Sequence, residues 1–494
     1  MKAKQSIREN VAVIISLAIF AFLFLVNSPL HPWIRSNSKT DSSVFRTVAM
    51  MMDKGYMPYK DSFDHKGPLL YIIDWIGNKI SLSSGIWMIE FGCMIITLFM
   101  IYKIARLSCK ISSAWITMAV SSSLLFGYFW GGNLVEEYAM PLIAIGIYIF
   151  LDYFLNDFLS KKRLMVSGFC LGAVLLLRPN MMAVWMVFCL VIFGMLVLQK
   201  KWEDLVQIII WFLAGMALMI VPVLVWLAVN GDLVQFWKAY IVFNREYTAA
   251  VDAGNLTVER WKTFLVFLNT FVQITGFVSI AYNCTRKSKI LNIAYGLYML
   301  LNLGLICMSG RDYEHYGMII VPAVAYPISL IFSDIERVKE ESISRAMTLL
   351  VGIYMMGVIV LPVWITAVNE IPEIYMTRSN DNRPENAVTI AEIIDSNTDE
   401  DQAISVYGNW DYIYIISNRK HATRYSFQFP IGQVDTQIME EYLGQLQQEE
   451  PPVIVIQNGY YDDTIKSYLD RNQYRLEWAE NVDIPTDGAL VYMK

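Results

Sequence analysis

Residues 40–80 read TDSSVFRTVAMMMDKGYMPYKDSFDHKGPLLYIIDWIGNKI, and the reading of this stretch decides the fold. It lies between two strongly apolar segments, yet it gathers acids, a histidine and several cations. A loop of this kind faces water beside a membrane, with its charges held over the bilayer surface. Two short amphipathic helices are predicted inside it. The first starts at Thr40 or Asp41, either of which suits a cap. It puts Val44, Phe45, Val48, Met51 and Met52 on one face and stops at Gly55, with Pro58 beyond. The second follows Gly67, with Pro68 at a first helical position, and is expected to bury Leu69, Leu70, Ile72, Ile73 and Ile76. Both are expected to lie in the membrane interface. Between them runs Tyr59-Lys60-Asp61-Ser62-Phe63-Asp64-His65-Lys66-Gly67-Pro68, too charged to serve packing alone.

The rest of the chain fits that setting. Of 494 residues, 55% are hydrophobic and only 17% charged, with a mean hydropathy of +0.41. A soluble domain carries more charge and less apolar content. Apolar runs long enough to span a bilayer recur near 10–27, 84–106, 112–130, 138–155, 164–178, 181–198, 205–229, 262–283, 290–308, 316–333 and 346–368. Six cysteines fall in or beside these runs, with no disulfide framework and no CxxC site. The first run has no small-residue cleavage site after it and is read as an uncleaved span.

Lysine and arginine sort to one set of span ends: Lys2, Lys4 and Arg8; Lys103, Arg106 and Lys110; Lys161, Lys162 and Arg163; Lys200 and Lys201; Arg286, Lys287 and Lys289; Arg337, Lys339 and Arg345. By the positive-inside rule these ends are cytoplasmic. The N-terminus is then inside, and the first long loop and the C-terminal segment are extracytoplasmic. The expected organisation is a transmembrane catalytic part, 1–369, with its first outer loop at 28–83, followed by a small α/β domain, 370–494. In that domain helices are predicted near 384–396, 435–448 and 462–471, and strands at Ala403–Tyr407, Val453–Gln457 and Ala489–Met493.

The unusual polar residues gather on the outer face. Asp41 is either a helix cap or a functional acid. Asp64-His65-Lys66-Gly67-Pro68 joins a lysine to a helix N-terminus, a combination suited to phosphate, beside the alternative of a solvated turn. Glu136 and Glu137 open a span with no adjacent cation, where a carboxylate is usually functional or paired. Arg178 suits snorkelling as well as it suits phosphate. Arg311 and His315, flanked by Tyr313 and Tyr316, suit an anion or a proton relay. Glu90 lies inside a span and needs a partner. No Walker loop, GxGxxG, HExxH or nucleophile elbow occurs in a fitting context. Acids that activate a hydroxyl, set beside cations that hold a lipid-borne phosphate, point to group transfer from a lipid-phosphate donor.

An inside N-terminus, an aspartate just after the first span, interface helices in the first outer loop and an acidic start to a later span together resemble the GT-C glycosyltransferases. The run Pro58-Tyr59-Lys60-Asp61-Ser62-Phe63-Asp64-His65-Lys66-Gly67-Pro68-Leu69-Leu70-Tyr71 resembles a bacterial branch similar to the dolichyl-phosphate-mannose protein mannosyltransferases, family 39-like. Asn133 to Tyr138, Arg178-Pro179 and His315-Tyr316 also fit, over roughly residues 1–370. Many relatives carry an Asp-Glu pair after the first span; here Asp41 is followed by Ser42, which removes the second acid.

The resemblance implies a multi-pass plasma-membrane protein with about eleven helical spans. It also implies transfer of a sugar, a hexose, from a polyprenyl phosphate such as undecaprenyl phosphate to a glycan, lipid or protein acceptor of the bacterial surface. The expected chemistry is a single inverting displacement with Asp41 as base and Asp64 and Glu137 as further catalytic acids. His65, Lys66, Glu136, Arg178, Arg311, His315 and Tyr316 would bind donor phosphate and sugar. No organic cofactor is implied; a divalent metal is left open. Membrane lipids are partners and nucleic acid is not. A flippase for lipid-linked glycans would place its ionisable groups near the bilayer midplane in repeated halves, and neither is seen. A non-catalytic receptor with an external sensor domain is the other alternative.

Overall fold

The computed structural model describes residues 2–26, 28, 30–32, 40–129, 131–157, 159–249, 256–285, 288–311, 313–337, 383–481, 483–484 and 488–494. The span expected near 346–368 lies outside these residues, as do Lys339 and Arg345. The chain divides into two compact units: 1–28, 87–223 and 251–375 in one, and 29–86, 224–250 and 376–494 in the other.

The expected class, a multi-span helical protein with a small C-terminal α/β domain, is what the chain forms. Five described helices are long and apolar enough to cross a membrane: Gly85–Arg106, Ile111–Tyr128, Val135–Asn156, Trp202–Val229 and Lys289–Ile306. Where straight spans are expected near 262–283 and 316–333, the helices are broken. Residues 257–268 and 272–284 meet at 83°, and 314–323 and 325–336 at 44°. The first break falls before Thr270, whose hydroxyl accepts from Gln273 N at 3.2 Å and so caps a new helix. Within the first unit, Gly168 and Gly215 let the helices Lys161–Leu177 and Trp202–Val229 touch backbone to backbone, because a Cβ at either would collide with the other helix.

The second unit is built on a five-stranded sheet of order β2-β1-β3-β5-β4. The strands are β1 (Ala403–Tyr407), β2 (Lys420–His421), β3 (Val453–Ile456), β4 (Arg475–Ala479) and β5 (Leu490–Met493). β1 pairs in parallel with β2 and β3; β5 runs antiparallel to β3 and β4. Helices Glu385–Asn397, Thr436–Glu449 and Asp463–Arg471 fall where the periodicity puts them. β2 and β4 are the strands the sequence does not announce. β2 is two residues long, and β4 is an edge strand whose Arg475, Leu476 and Glu477 are all exposed.

The core of Ile390, Ile394, Ile404, Val406, Ile413, Val453, Val455 and Val491 also receives Met50 from the first loop helix, Thr40–Asp53. That helix buries Val44, Phe45, Val48, Met51 and Met52 in protein, so its apolar face is not offered to lipid. The second loop helix, Pro68–Ile80, buries a face shifted from the expected one. Of the five expected core residues only Leu70 is buried; Tyr71, Asp74 and Gly77 complete the inner face. Ile76 and Ile80 stand 45% and 53% exposed. Leu69, Ile72 and Ile73 are half-buried, so the apolar stripe is open only at its Ile76 and Ile80 end.

Candidate functional site

In the second unit the charged run is locked before it reaches the helix at Pro68. Asp64 is 2% exposed. Its Oδ1 accepts from His65 N at 2.7 Å and lies 3.3 Å from His65 Nδ1; its Oδ2 accepts from Tyr71 Oη at 2.8 Å. Lys66 Nζ lies 3.3 Å from His65 Nε2. A lysine only donates, so Nε2 accepts and Nδ1 carries the proton toward Asp64. The result is a chain of carboxylate, neutral imidazole and ammonium. Burial pushes the Asp64 carboxyl up, but His65, Lys66 and Tyr71 together outweigh it and hold its pKa below the ordinary value. Burial and Lys66 hold His65 below its ordinary pKa against the pull of Asp64 and Asp41. Asp41 is therefore near enough for its charge to be felt at His65. The helix begins at Thr40, which places Asp41 inside the first turn, not at the cap. There the positive end of the helix dipole favours a carboxylate.

The segment after Gly231 closes round this run. Helices Leu233–Phe236 and Asn244–Ala249 are joined through a π-helical stretch, Trp237–Phe243. Asn244 Nδ2 donates to His65 O at 2.6 Å, and the His65 ring packs on Phe243 and Tyr247 at 5.4 and 5.2 Å. Asp232 Oδ2 accepts from Tyr59 N at 3.2 Å. Burial pushes the Asp232 carboxyl up to about 7. Tyr59 Oη donates to Lys66 O at 2.8 Å, closing the loop on itself.

The first unit holds a second polar set. Arg178, at the end of Lys161–Leu177, pairs with Glu136 at 2.6 Å, and its guanidinium stacks 4.1 Å above the ring of Tyr316. Tyr316 is edge-on to His315 at 4.8 Å, Tyr313 stacks on His315 at 5.7 Å, and Arg311 Nη1 lies 3.3 Å from Tyr313 Oη. Arg178 is thus a built part of an aromatic and acidic set, more than a snorkelling side chain. Glu137 is fully buried, and its Oε2 accepts from Asn133 N at 3.1 Å. Glu90 has the partner it requires: the same Asn133 N–H, together with Ser28 Oγ at 3.3 Å. Gly132, at φ +84°, leaves no room for a Cβ beside the Glu90 carboxylate.

The sequence-predicted residues therefore fall into two groups: Asp41, Asp64, His65 and Lys66 in one unit, and Glu136, Glu137, Arg178, Arg311, His315 and Tyr316 in the other. Tyr71, Tyr59, Asn244 and Asp232 went unread as site residues because tyrosine, asparagine and a post-span aspartate carry no spacing motif. Among the described residues no group of three or more His, Cys, Asp or Glu side chains is placed to hold a metal ion.

A family model described as "Putative competence-induced protein Ccs4 N-terminal domain" matches residues 1–380. No curated protein matches the chain. Among solved structures, ArnT from Cupriavidus metallidurans bound to undecaprenyl phosphate superposes with a TM-score of 0.62 at 10% identity, over 98% of this chain and 97% of that one. The oligosaccharyltransferase of Archaeoglobus fulgidus, in complex with Zn and sulfate, superposes at 0.54 and 13% identity, over 90% of this chain and 68% of that one. At such identities the likeness is one of fold, and the fold is the GT-C type. The match over more than three quarters of the chain makes the conclusion plain: this protein belongs to the Ccs4 N-terminal domain family, on a GT-C fold.

Proposed function

We propose that the chain is an integral-membrane glycosyltransferase that moves a sugar from a polyprenyl-phosphate donor to an acceptor at the extracytoplasmic surface. The observation that carries this is the linked group Asp64, His65 and Lys66, with Asp41 near enough for its charge to be felt at His65, beside a helix whose Ile76 and Ile80 are exposed. A lipid-linked sugar needs that layering: a tail in apolar surroundings, a phosphate beside a cation, and a base next to the anomeric carbon. The GT-C fold supports it, since ArnT with that fold is crystallised with undecaprenyl phosphate.

In this reading Asp41 takes the proton of the acceptor hydroxyl. The acceptor oxygen bonds to the anomeric carbon as the bond from that carbon to the phosphate oxygen breaks, and the configuration inverts. Lys66 offsets the charge left on the departing lipid phosphate, with Arg178, Arg311 and His315 as the other proposed cationic contacts. Asp64 holds His65 and, through it, Lys66; Glu136, Glu137 and Tyr316 belong to the recognition of sugar or acceptor. The family 39-like branch, hexose as the sugar, an N-terminus inside and a C-terminal domain outside are part of the same proposal. Incubation of purified protein with a panel of polyprenyl-phosphate sugars, with and without acceptors, tests it through release of polyprenyl phosphate. No release from any donor would refute it.

A further inference from the structure

The C-terminal domain contacts the charged run through His421 and Arg424. His421 is 5% exposed. Its Nδ1 lies 2.5 Å from Thr423 O, an acceptor, so Nδ1 carries the proton and Nε2 is left to accept. Nε2 faces Ser62 Oγ at 3.0 Å, and Ser62 is itself 1% exposed. Three residues on, Arg424 grips the same run from several sides. Its carbonyl accepts from Phe63 N at 2.8 Å, and its Nε donates to Tyr59 O at 2.9 Å. Its guanidinium lies 5.3 Å from the Phe63 ring, which also packs on Tyr425 at 5.4 Å and Phe243 at 5.2 Å. Arg424 is held in turn by Gln445, whose Oε1 accepts from Arg424 N at 2.7 Å. Thr47 of the first loop helix donates to Asp411 O at 3.3 Å, a second tie on the Asp41 side.

We infer that His421 and Arg424 are positioning residues for the Asp64–Lys66 group, and that the C-terminal domain acts as the mould of the outer loop. A ten-residue charged run between two helices has no regular backbone pairing of its own. A flexible run would spread Asp64, His65 and Lys66 over many geometries. The clamp fixes Tyr59, Ser62 and Phe63, leaving one short step of chain to Asp64. It uses a neutral imidazole and a planar guanidinium, groups that neither lysine nor an aliphatic residue reproduces. The C-terminal domain thereby gains a role in the reaction without touching substrate. The catalytic part of this inference rests on the transferase reading; the mechanical part does not.

The test uses the full-length protein in detergent and two readouts. Amide hydrogen exchange is followed in peptides covering residues 59–71 and, as an internal control, in β1 and β3. Arg424→Ala and Ser62→Ala should speed exchange in 59–71 by about tenfold or more, the equivalent of one lost hydrogen bond, while β1 and β3 stay protected. His421→Leu should behave likewise, and His421→Gln, which still presents an acceptor to Ser62, should restore protection. Transfer rate should follow the same order: parent near His421→Gln, both above His421→Leu. If Arg424→Ala unfolds the sheet, Ser62→Ala and the two His421 variants carry the comparison. Unchanged exchange in 59–71 across Ser62→Ala and His421→Leu, or no difference between His421→Leu and His421→Gln, overturns the inference. A parent protein with no transfer activity counts against the transferase reading, and the exchange result still decides this one.

Discussion

Tyr71 Oη donates to Asp64 Oδ2 at 2.8 Å, so the first turn of the second loop helix is tied to the acid that precedes it. Both residues are buried, and the same carboxylate also accepts from His65 N. A hydrogen bond to a charged group contributes about 1.5–3 kcal/mol. Tyr71→Phe removes that donor and keeps the ring. The Asp64 pKa, now held below its ordinary value, should rise. The acid limb of the rate profile should then move to higher pH, with a smaller effect on the alkaline plateau. An acid limb that stays in place would show that Asp64 does not titrate in the rate.

Lys66→Ala tests the proposed donor contact. Its ammonium ends the chain that begins at Asp64, and a cation paired with phosphate is a charge-assisted contact. Lys66→Ala should weaken donor binding by about tenfold or more, as measured by donor titration of the folded protein. Unchanged affinity would assign this lysine to solvation of the loop.

Gly132 tests the packing around Glu90. Its φ of +84° and the adjacent carboxylate both exclude a side chain. Gly132→Ala should cost about 1–3 kcal/mol and lower the thermal midpoint in detergent. A midpoint equal to that of the parent would contradict the crowding at this position.

His421 makes stability depend on pH in a definite sense. Burial pushes its pKa from 6.5 down to about 4. Above pH 6.5 it is neutral folded and unfolded alike. Below that, the unfolded chain takes up a proton that the folded protein refuses until about pH 4, so stability falls through this window, by about 3 kcal/mol at most. His421→Gln should therefore lose less stability than the parent between pH 7 and pH 5, read as the difference of their thermal midpoints. Parallel pH profiles would show that His421 is not refused its proton.

Much of this was legible in the residues. Long apolar runs suffice for a multi-span helical fold, the resemblance carried in part by the charged run at 58–68 points to the GT-C type, and apolar periodicity places three helices and three strands of the C-terminal domain. What escaped has physical reasons. The face of Pro68–Ile80 was misread because apolar spacing favours Ile72, Ile73 and Ile76, whereas the helix buries Leu70, Tyr71, Asp74 and Gly77 and leaves Ile76 exposed. Asp74 and Gly77 face inward there, against their polarity. The partners of Glu90 are a backbone N–H and a serine brought from far along the chain, and no spacing rule foretells either. The clamp of His421 and Arg424 is also a long-range pairing, between residues about 360 apart in sequence.

The most direct measurement concerns Asp41. The first loop helix begins one residue before it, and its charge reaches His65. Asparagine keeps the size of aspartate but takes no proton from an acceptor hydroxyl. General-base assistance supplies about 10²–10⁴-fold in rate. Single-turnover transfer from a polyprenyl-phosphate sugar should be compared for the parent and Asp41→Asn, both shown to be folded and to bind donor. A loss of about a hundredfold or more in the variant, with donor affinity retained, is the predicted result. Transfer by Asp41→Asn at near the parent rate would contradict the assignment of the base.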